Sequence, residues 1–531
     1  MNSYFSIAVI GAFLPAVVLV YALAPRRVRP VVLLAASYLF FWSISGALLV
    51  FLLVSTVSVW ALGLLLGRLQ TRRRGALAVP GCDRKACRRF YRRAMRGVVA
   101  AGVILNIGIL IALKYLGFFA RIAQPLLALI GIAADGPGTL GTIGVPIGIS
   151  FYTLSAVSYL VDVYREGTAP DRNLGRLALF LAFFPQIMEG PICRYRQSAS
   201  ALWEGRPVVA HNLYRGGMRI LWGLAKKLIV ADRVNLFVKT VFDAGATYDG
   251  GVIALAAVLY TVQLYCDFSG TMDFAVGAGQ MFGVELPENF RQPFFSRTAA
   301  EFWQRWHITL GSWFRDYVFY PVSLSAPVKR LTGAARRVLG NRMGPLAASG
   351  VALAAVWLCN GLWHGAGGQY VLFGLYYFVL IWGGGLMGPV AERFCAAVGI
   401  DHNGRAWHAW QRARTLAVVF VGELIFRAPG GTAALAMVAR LVGGFTLASF
   451  RDGTVLSLGM DAADFAAVGA FCVALFVVGL LRERGTRLFG RMWAAHPVAR
   501  VTVMVCLALT VVVFGAYGAG YQPVDPMYAQ F

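Results

Sequence analysis

Long apolar runs, separated by short polar or basic stretches, fill most of this 531-residue chain. A helix needs about 20 apolar residues to cross the roughly 30 Å hydrocarbon core of a bilayer. The pattern therefore predicts an all-α polytopic membrane protein with about 11 to 13 transmembrane or re-entrant helices. The runs lie at residues 5–24, 31–67 (two spans), 97–120, 142–164, 177–188, 215–242, 251–282, 346–366, 369–390, 415–428, 463–481 and 499–521.

Several runs in the middle of the chain are short or interrupted by charged residues. Hydrocarbon cannot satisfy the backbone groups of a broken helix, so such segments survive at membrane depth only where protein buries them or where they line a wet cavity. We therefore expect the middle of the chain to enclose something polar.

Composition supports the membrane prediction, and the membrane prediction in turn explains the excess of basic residues. Hydrophobic residues make up 58% of the chain and charged residues 14%, whereas an ordinary soluble domain has about 25% charged residues. Lys and Arg outnumber Asp and Glu by 49 to 24. An excess of this kind is typical of nucleic-acid binding, but in a polytopic protein the positive-inside rule explains it. We expect no nucleic-acid partner.

Basic stretches at 26–29, 68–96, 329–342 and 482–491 predict the cytoplasmic side of the membrane. This places both termini outside the cytoplasm, and the first run lacks the basic start of a signal peptide. The segment 68–96 fits a solvated loop that contacts anionic lipid head groups. It contains Cys82 and Cys87, but no second ligand pair stands nearby, so we expect no metal site.

Two polar stretches stand out: 301–317 is aromatic, amphipathic and too polar to face lipid, and 360–367 ends an apolar run that begins near Leu346. Each carries one histidine, His307 and His364, in an aromatic setting. Small residues follow His364, which suggests an accessible ring, and imidazole exchanges protons near neutral pH. A buried structural histidine is the alternative. The remaining histidines lie in charged, loop-like surroundings, at His211, His402, His408 and His496.

The two stretches read F-W-x-R-W-H-I-T-L-x-x-W-F-R-D-Y at 302–317 and L-W-H-G-A at 362–366. This combination resembles the membrane-bound O-acyltransferase family, and within it the bacterial cell-surface branch that acetylates alginate or transfers D-alanine to teichoic acid. The resemblance covers roughly residues 100–390 and the C-terminal tail. Supporting segments are Val145–Tyr152, Phe183–Gln186, Gly190-Pro191, Asp267–Gly270 and Asn289-Phe290.

The resemblance implies a tunnel at membrane depth in which an acyl group passes from a thioester to a hydroxyl. It implies that His364 is the general base and His307 a second, supporting residue. An oxyanion would need donors, for which Trp306, Asn360 and His307 stay open. Further residues expected to line or support the tunnel are Trp303, Arg305, Trp363, Asp267, Asp273, Arg315 and Asp316.

Two segments depart from the family pattern. Thr271 and Met272 follow Asp267–Gly270 where a tyrosine and a serine are usual, although both Asp267 and Asp273 remain, and we expect those aspartates to be structural. Pro321–Ser325 replaces a glycine-rich continuation, which weakens an assignment to alginate itself.

The C-terminal tail ends in Y-x-x-F at residues 528–531. The resemblance implies that Tyr528 holds the acyl group briefly before an extracytoplasmic partner takes it. An interfacial aromatic anchor is the alternative for this tyrosine.

The resemblance implies one integral membrane domain over residues 1–531, with N-terminal spans at 5–67, a cytoplasmic basic loop at 68–96, and C-terminal spans at 415–521 before an external tail. It implies a bacterial plasma-membrane enzyme that O-acylates a cell-surface polysaccharide. Acetyl is favoured over D-alanyl because the chain is long for the D-alanyl branch. A proton-coupled transporter is the alternative of another class, although the sequence shows no internal repeat.

The expected co-substrate is an acyl thioester, either acetyl-CoA or a loaded acyl-carrier protein, with no tightly bound cofactor and no metal. The expected partners are membrane lipids and an extracytoplasmic acyltransferase of the SGNH-hydrolase type.

Overall fold

The computed structural model describes residues 4–129, 144–401, 403–517 and 521–524. These residues form helices joined by short connections, and their only strand-like pairing is an isolated bridge between Phe290 and Trp306. The predicted all-α class is confirmed. Within the described residues, seven helical segments are long and apolar enough to cross a membrane: Arg29–Ala78, Arg84–Tyr115, Gly250–Met281, Ala326–His364, Gly368–Ala397, Ala462–Glu483 and Pro497–Phe514.

The chain divides into two compact units. The first contains the described residues up to Arg219 together with Phe274–Pro287, and the second contains Ile220–Asp273 and the described residues from Glu288 onward. The helices of the first unit, after a π-helical turn at Ala8–Phe13, are α1 (Leu14–Leu23), α2 (Arg29–Ser45), α3 (Leu49–Ala78), α4 (Arg84–Leu129), α5 (Ile149–Tyr164), α6 (Leu174–Ala182), α7 (Phe184–Ile187), α8 (Tyr195–Trp203) and α9 (Ala210–Ala225), the last of which continues into the second unit.

Helix α5 lies at the centre of the first unit and is buried on all sides between Ile149 and Leu160. It packs against α3 and α4 through small residues. A Cβ atom added to Gly63 would lie 3.0 Å from the ring of Tyr159, and one added to Gly102 would lie 2.4 Å from Leu160. Glycine therefore sets how closely these helices approach, as is common between membrane helices.

The segment at 68–96 is not the loop that its charge predicts. Helix α3 continues to Ala78 and α4 begins at Arg84, so that only 79–83 is non-helical. Arg, Lys, Ala and Leu are all good helix formers, and this propensity prevails over the density of charge. The carboxylate of Asp83 accepts hydrogen bonds from the backbone N–H groups of Lys85 and Ala86 and so caps α4.

The predicted run at 177–188 also differs, because it forms two short buried helices, α6 and α7, rather than a span. Pro185 lies in the first turn of α7, where its fixed φ and missing N–H suit the start of a new helix. This is the buried, broken kind of segment expected in the middle of the chain.

The second unit begins with a π-helical stretch at Lys226–Ala231 and has another at Arg315–Phe319. Its α-helices are α10 (Asp232–Asp243), α11 (Gly250–Met281, which extends into the first unit), α12 (Ala299–Arg305), α13 (Ile308–Phe314), α14 (Tyr320–Ser323), α15 (Ala326–His364), α16 (Gly368–Ala397), α17 (Arg405–Arg427), α18 (Gly431–Gly443), α19 (Ala448–Arg451), α20 (Ala462–Glu483), α21 (Leu488–Ala494) and α22 (Pro497–Phe514).

Helices α15 and α16 approach each other backbone to backbone. A Cβ atom on Gly361 would lie 2.4 Å from the carbonyl oxygen of Tyr370, and one on Gly374 would lie 2.5 Å from that of Trp357. The same helix α15 breaks at Gly340, which has φ 77°. The break separates a basic first half from the apolar half that ends at His364.

Candidate active site

His307 lies between two short helices, after α12 and directly before α13. Its backbone has φ 45° and ψ 50°, a left-handed conformation that costs a residue with a side chain about 1–2 kcal/mol. Hydrogen bonds hold the chain on both sides of it: the N–H of Arg291 donates to the carbonyl of Arg305 at 2.9 Å, and the N–H of Ile308 donates to the carbonyl of Asn289 at 3.0 Å. The strained backbone is thus fixed by its neighbours.

The side chain of Asn289 orients the imidazole of His307. Its Oδ1 atom accepts hydrogen bonds from the N–H and the hydroxyl of Thr309, both at 2.9 Å, and lies 3.3 Å from Nδ1 of His307. Because a backbone N–H can only donate, the atom facing His307 is the amide oxygen. Nδ1 therefore carries the proton, and the neutral ring keeps its basic lone pair on Nε2.

In the sequence, Asn289 is part of a supporting Asn-Phe motif and has no predicted role of its own. The structure gives it one, because it joins the segment before α12 to the imidazole and is itself 1% exposed. Its Nδ2 atom lies 3.1 Å from Sδ of Met272 on α11. The sequence feature that could have predicted this role is a polar asparagine shortly before the histidine motif at 302–317.

Trp363 joins the two histidines into one cluster, and we call His307, Trp363 and His364, with the side chains that contact them, the ring cluster. Its ring centroid lies 5.9 Å from that of His307 and 4.9 Å from that of His364. On its other side, His307 contacts the edge of Phe268 at 4.7 Å. The two imidazoles, which are 57 residues apart in the sequence, are 4% and 6% exposed. The structure therefore brings both histidine motifs together in a buried, aromatic setting.

His364 is the last residue of α15, and aromatic side chains surround its ring. Centroid distances are 4.9 Å to Phe426, 6.1 Å to Phe373 and 6.4 Å to Tyr370. A Cβ atom on Gly365 would lie 2.5 Å from the ring of Tyr370. The small residues after His364 thus make room for Tyr370, and the easy access that they suggested in the sequence is not what the structure shows.

Three more of the predicted residues lie in or beside this cluster. Asn360 is buried one turn before His364, and its Oδ1 atom has no hydrogen-bond partner among the described residues. Trp303 packs edge-on against Tyr377 at 4.9 Å and Trp357 at 5.3 Å. Trp306 faces Phe290 at 5.0 Å. Of these, Asn360 is the side chain nearest in sequence to His364 with unused hydrogen-bonding capacity.

Arg305, Arg315 and Asp316 form ion pairs. Arg305 forms ion pairs with Glu301 at 2.7 Å and with Glu483 at 2.9 Å. The guanidinium of Arg315 lies 3.1 Å from the carboxylate of Asp316, and the Arg315 side chain is 59% exposed. These contacts show the ion-pair partners of the three residues, and their predicted supporting role at the tunnel stays a prediction.

Asp267 and Asp273 belong to a second buried cluster, in which lysines accompany them. Nζ of Lys227 lies 2.8 Å from Asp267 and 3.1 Å from Asp232. Nζ of Lys226 contacts Asp273 and donates to the hydroxyl of Ser269 at 2.8 Å. We call the set Lys226, Lys227, Asp232, Asp267 and Asp273 the ionic cluster. The two lysines interrupt the apolar run at 215–242, and no sequence motif assigned them a role.

Helix α11 separates the ring cluster from the ionic cluster. Phe268 and Met272 are four residues apart on one face and contact His307 and Asn289. Asp267 and Asp273 face the lysines. The unusual Met272 of the departing motif is therefore a contact of the residue that orients His307.

The segment Tyr521–Val524 is tied to the ionic cluster. The carbonyl of Val524 accepts from Nζ of Lys227 at 2.8 Å, and its N–H donates to the carboxylate of Asp232 at 2.8 Å. The Tyr521 hydroxyl lies 3.0 Å from the carboxylate of Asp464. Tyr528, the predicted acyl carrier, lies outside the described residues.

Comparisons with known proteins agree with the motifs. The model of the MBOAT, membrane-bound O-acyltransferase family, matches residues 172–335, a range that includes His307 and the ionic cluster. The chain is 32% identical over 416 residues to the probable alginate O-acetylase AlgI of Pseudomonas syringae pv. tomato, an alignment that covers 78% of this chain and 70% of the relative.

Two other relatives share parts of the chain. The teichoic acid D-alanyltransferase of Bacillus subtilis is 33% identical over 241 residues, which is 44% of this chain and 58% of the relative. The peptidoglycan O-acetyltransferase of Helicobacter pylori is 29% identical over 306 residues, which is 53% and 54% of the two chains. Each of these relatives is named for acyl transfer, so the chain is an acyltransferase rather than a transporter.

The fold, the motifs and the relatives give one classification. The apolar helices are those of a multi-pass membrane protein, and the match to the alginate O-acetylase extends over most of both proteins. The chain belongs to the membrane-bound O-acyltransferase family.

Proposed function

We propose that this protein transfers an acetyl group from a cytoplasmic thioester across the membrane for O-acetylation of an extracytoplasmic polysaccharide. The observation that carries the proposal is the pair of buried imidazoles joined through Trp363. The alginate and peptidoglycan O-acetylating relatives support acetyl as the acyl group and a glycan as the acceptor.

In this proposal His364 is the general base. An alcohol is too weak an acid to attack a thioester unaided, and a base within hydrogen-bond reach takes its proton as the oxygen adds to the carbonyl carbon. The tetrahedral oxyanion then collapses, the carbon–sulfur bond breaks, and the thiolate leaves and is protonated. The amide of Asn360, one turn before His364, is a donor that the site offers, whereas Nδ1 of His307 is already engaged by Asn289.

Acetyl-CoA is the proposed donor. Its phosphates are anionic, and the basic stretches at 68–96 and 329–342 supply positive charge on the face that the positive-inside rule makes cytoplasmic. The same rule places both termini of this chain outside the cytoplasm. We further propose that the membrane is the bacterial plasma membrane.

The acceptor of the first transfer is proposed to be Tyr528, from which an extracytoplasmic acyltransferase of the SGNH-hydrolase type takes the acetyl group. The hydrogen bonds of Val524 with Lys227 and Asp232 support this role, because they fix the chain four residues before Tyr528. Mass spectrometry of the C-terminal peptide during turnover should find an acetyl ester on Tyr528. The Tyr528→Phe variant should show none, and a wild-type peptide without adduct under turnover would refute the carrier role.

The main test replaces His364 and analyses the surface polymer. His364→Ala should abolish ester-linked acetyl on the polysaccharide while the protein remains at its normal level in the membrane. The matched control is His408→Ala, which removes a histidine outside the ring cluster and should leave acetylation intact. If acetylation survived in the His364→Ala strain, His364 would not be the general base.

A D-alanyl group carried by an acyl-carrier protein is the second candidate, favoured by the teichoic acid D-alanyltransferase relative. The purified protein can distinguish the two donors. Incubation with acetyl-CoA should release free thiol at a rate that depends on His364. Incubation with a D-alanyl carrier protein should release no thiol above the background rate. The reverse result would replace acetyl by D-alanyl in the proposal.

A further inference from the structure

A second site of a different kind lies in the first unit. Between the end of α3, the end of α5 and the segment that follows α5 there is a cavity of about 840 Å³. That volume is within the range of about 300–1,000 Å³ typical of small-molecule sites. Its polar lining is Arg68, Arg72, Arg74, Arg172, Glu166 and Thr168, together with Gln70 and Thr71.

The charges of this lining are unbalanced. Four guanidinium groups face the cavity against the carboxylate of Glu166. Glu166 lies 2.8 Å from Arg74 and also contacts Arg73. Arg68, Arg72 and Arg172 are exposed and form no ion pair with any described residue. Three guanidinium groups are therefore available to an anion.

Glu166 is held in an unfavourable backbone conformation. It follows the C-terminal end of α5 with φ 60°, at a position where helices commonly end in glycine because the left-handed conformation strains other residues. Hydrogen bonds from Arg74 and Arg73 lower the pKa of its carboxyl group, so it stays ionised at neutral pH. The carboxylate thus holds Arg74 against the cavity wall.

The lining also contains a buried hydroxyl with unused capacity. The Oγ1 atom of Thr168 is inaccessible to solvent and has no hydrogen-bond partner among the described residues. Arginine forks match the oxygens of a phosphate group in pairs. The guanidinium groups of Arg68, Arg72 and Arg172 are therefore the donor set of a phosphate site.

We propose that this cavity binds a phosphate-bearing anion. Two sources share that chemistry, namely the head group of an anionic phospholipid and the phosphates of a soluble nucleotide such as coenzyme A. The inference stands on the geometry of the first unit and does not depend on the transfer chemistry proposed for His364.

The test uses the full-length protein in nanodiscs. One arm titrates coenzyme A in nanodiscs of phosphatidylcholine, and the other raises the fraction of phosphatidylglycerol without nucleotide and measures retained lipid by native mass spectrometry. The triple variant Arg68→Gln/Arg72→Gln/Arg172→Gln should weaken binding about tenfold or more in one arm. A loss with phosphatidylglycerol alone identifies a lipid site, and a loss with coenzyme A alone identifies a nucleotide site.

The matched control is Arg88→Gln/Arg89→Gln/Arg92→Gln, which removes the same charge from exposed positions of α4 outside the cavity. It should change the affinity by less than about twofold. An equal loss in both triple variants would mean a diffuse basic surface and would overturn the proposal. Unchanged binding in the cavity variant would overturn it as well.

Glu166→Gln provides a test of opposite sign. Removing the carboxylate frees Arg73 and Arg74, so the affinity for the anion should rise about threefold to tenfold. A purely structural role for Glu166 would change the melting temperature without tightening binding, and that outcome would also count against the site.

Discussion

The ring cluster and the ionic cluster lie on opposite faces of α11 and are equally well buried. Their polar groups are stabilised in different ways. His307 is 4% exposed and Lys226 is 3% exposed. Every charge of the ionic cluster has an opposite charge in contact with it. The ring cluster instead surrounds its two imidazoles with aromatic edges and an asparagine.

The difference follows from the cost of desolvation. A buried ion needs its counterion, because an uncompensated charge in the interior costs several kcal/mol. An imidazole can be buried in its neutral form and still keep a basic nitrogen. We infer that the ionic cluster fixes α11, and that α11 in turn supplies Phe268 and Met272 as a rigid wall for the ring cluster. Substitutions on the two faces should therefore fail in different ways.

The largest expected effect falls on activity at the ring cluster. His364→Gln keeps the site polar and of similar size, and it should lower kcat for thiol release about 10²- to 10⁴-fold, the usual contribution of a general base. Thermal unfolding in detergent should stay close to wild type. A large drop in Tm with only a small loss of kcat would assign His364 to structure instead.

The next largest effect falls on stability at the ionic cluster. Lys226→Met leaves Asp273 buried without its cation and should cost about 3–5 kcal/mol of unfolding free energy, measured by denaturation in detergent. Adding Asp273→Leu should recover a substantial part of that loss. If the double variant were as unstable as the sum of the single ones, the pairing would contribute nothing.

Asn289 belongs to the ring cluster and should affect mainly catalysis. Asn289→Leu removes the acceptor that fixes the proton on Nδ1 of His307, and we expect kcat to fall about tenfold with little change in KM. Asn289→Gln retains an amide oxygen without adding a charge and should recover part of the rate. Equal losses in both variants would argue that Asn289 only fills space.

A further effect on stability is expected where α15 meets α16, and it needs no change at either cluster. Gly374→Ala places a methyl group against the carbonyl of Trp357 and should destabilise the protein by about 1–3 kcal/mol. Gly383→Ala lies on the same helix with nothing within 4 Å and should be neutral or slightly stabilising. Tm measurements on the two variants test whether close helix contact supports the ring cluster.

The sequence was sufficient for the fold class and for the two histidine motifs, because apolar runs and the order of F-W-x-R-W-H and L-W-H-G-A are local features. It was not sufficient for Asn289 or for Lys226 and Lys227. Their roles arise from pairings across helices, which spacing along one helix does not reveal. The basic segment at 68–96 was predicted as a loop because charge was weighed above helix propensity.

The ion pair of Arg305 with Glu483 likewise arises from pairing across helices. Both Arg305 and Arg315 lie within the motif at 302–317, and a motif does not separate residues that react from residues that hold the helices in place. The structure gives Arg305 the partners Glu301 and Glu483, the second of them 178 residues away. Only the folded chain identifies that distant carboxylate.

The backbone contact of α15 with α16 has a consequence for the surrounding lipid. Helix α16 has 30 residues and is about 45 Å long at 1.5 Å per residue, well above the roughly 30 Å of bilayer hydrocarbon. A helix of that length adjusts to bilayer thickness by tilting. Gly361 and Gly374 bring the two backbones into direct contact. A tilt of α16 should therefore also move the end of α15. The position of the His364 imidazole should therefore vary with the acyl-chain length of the membrane.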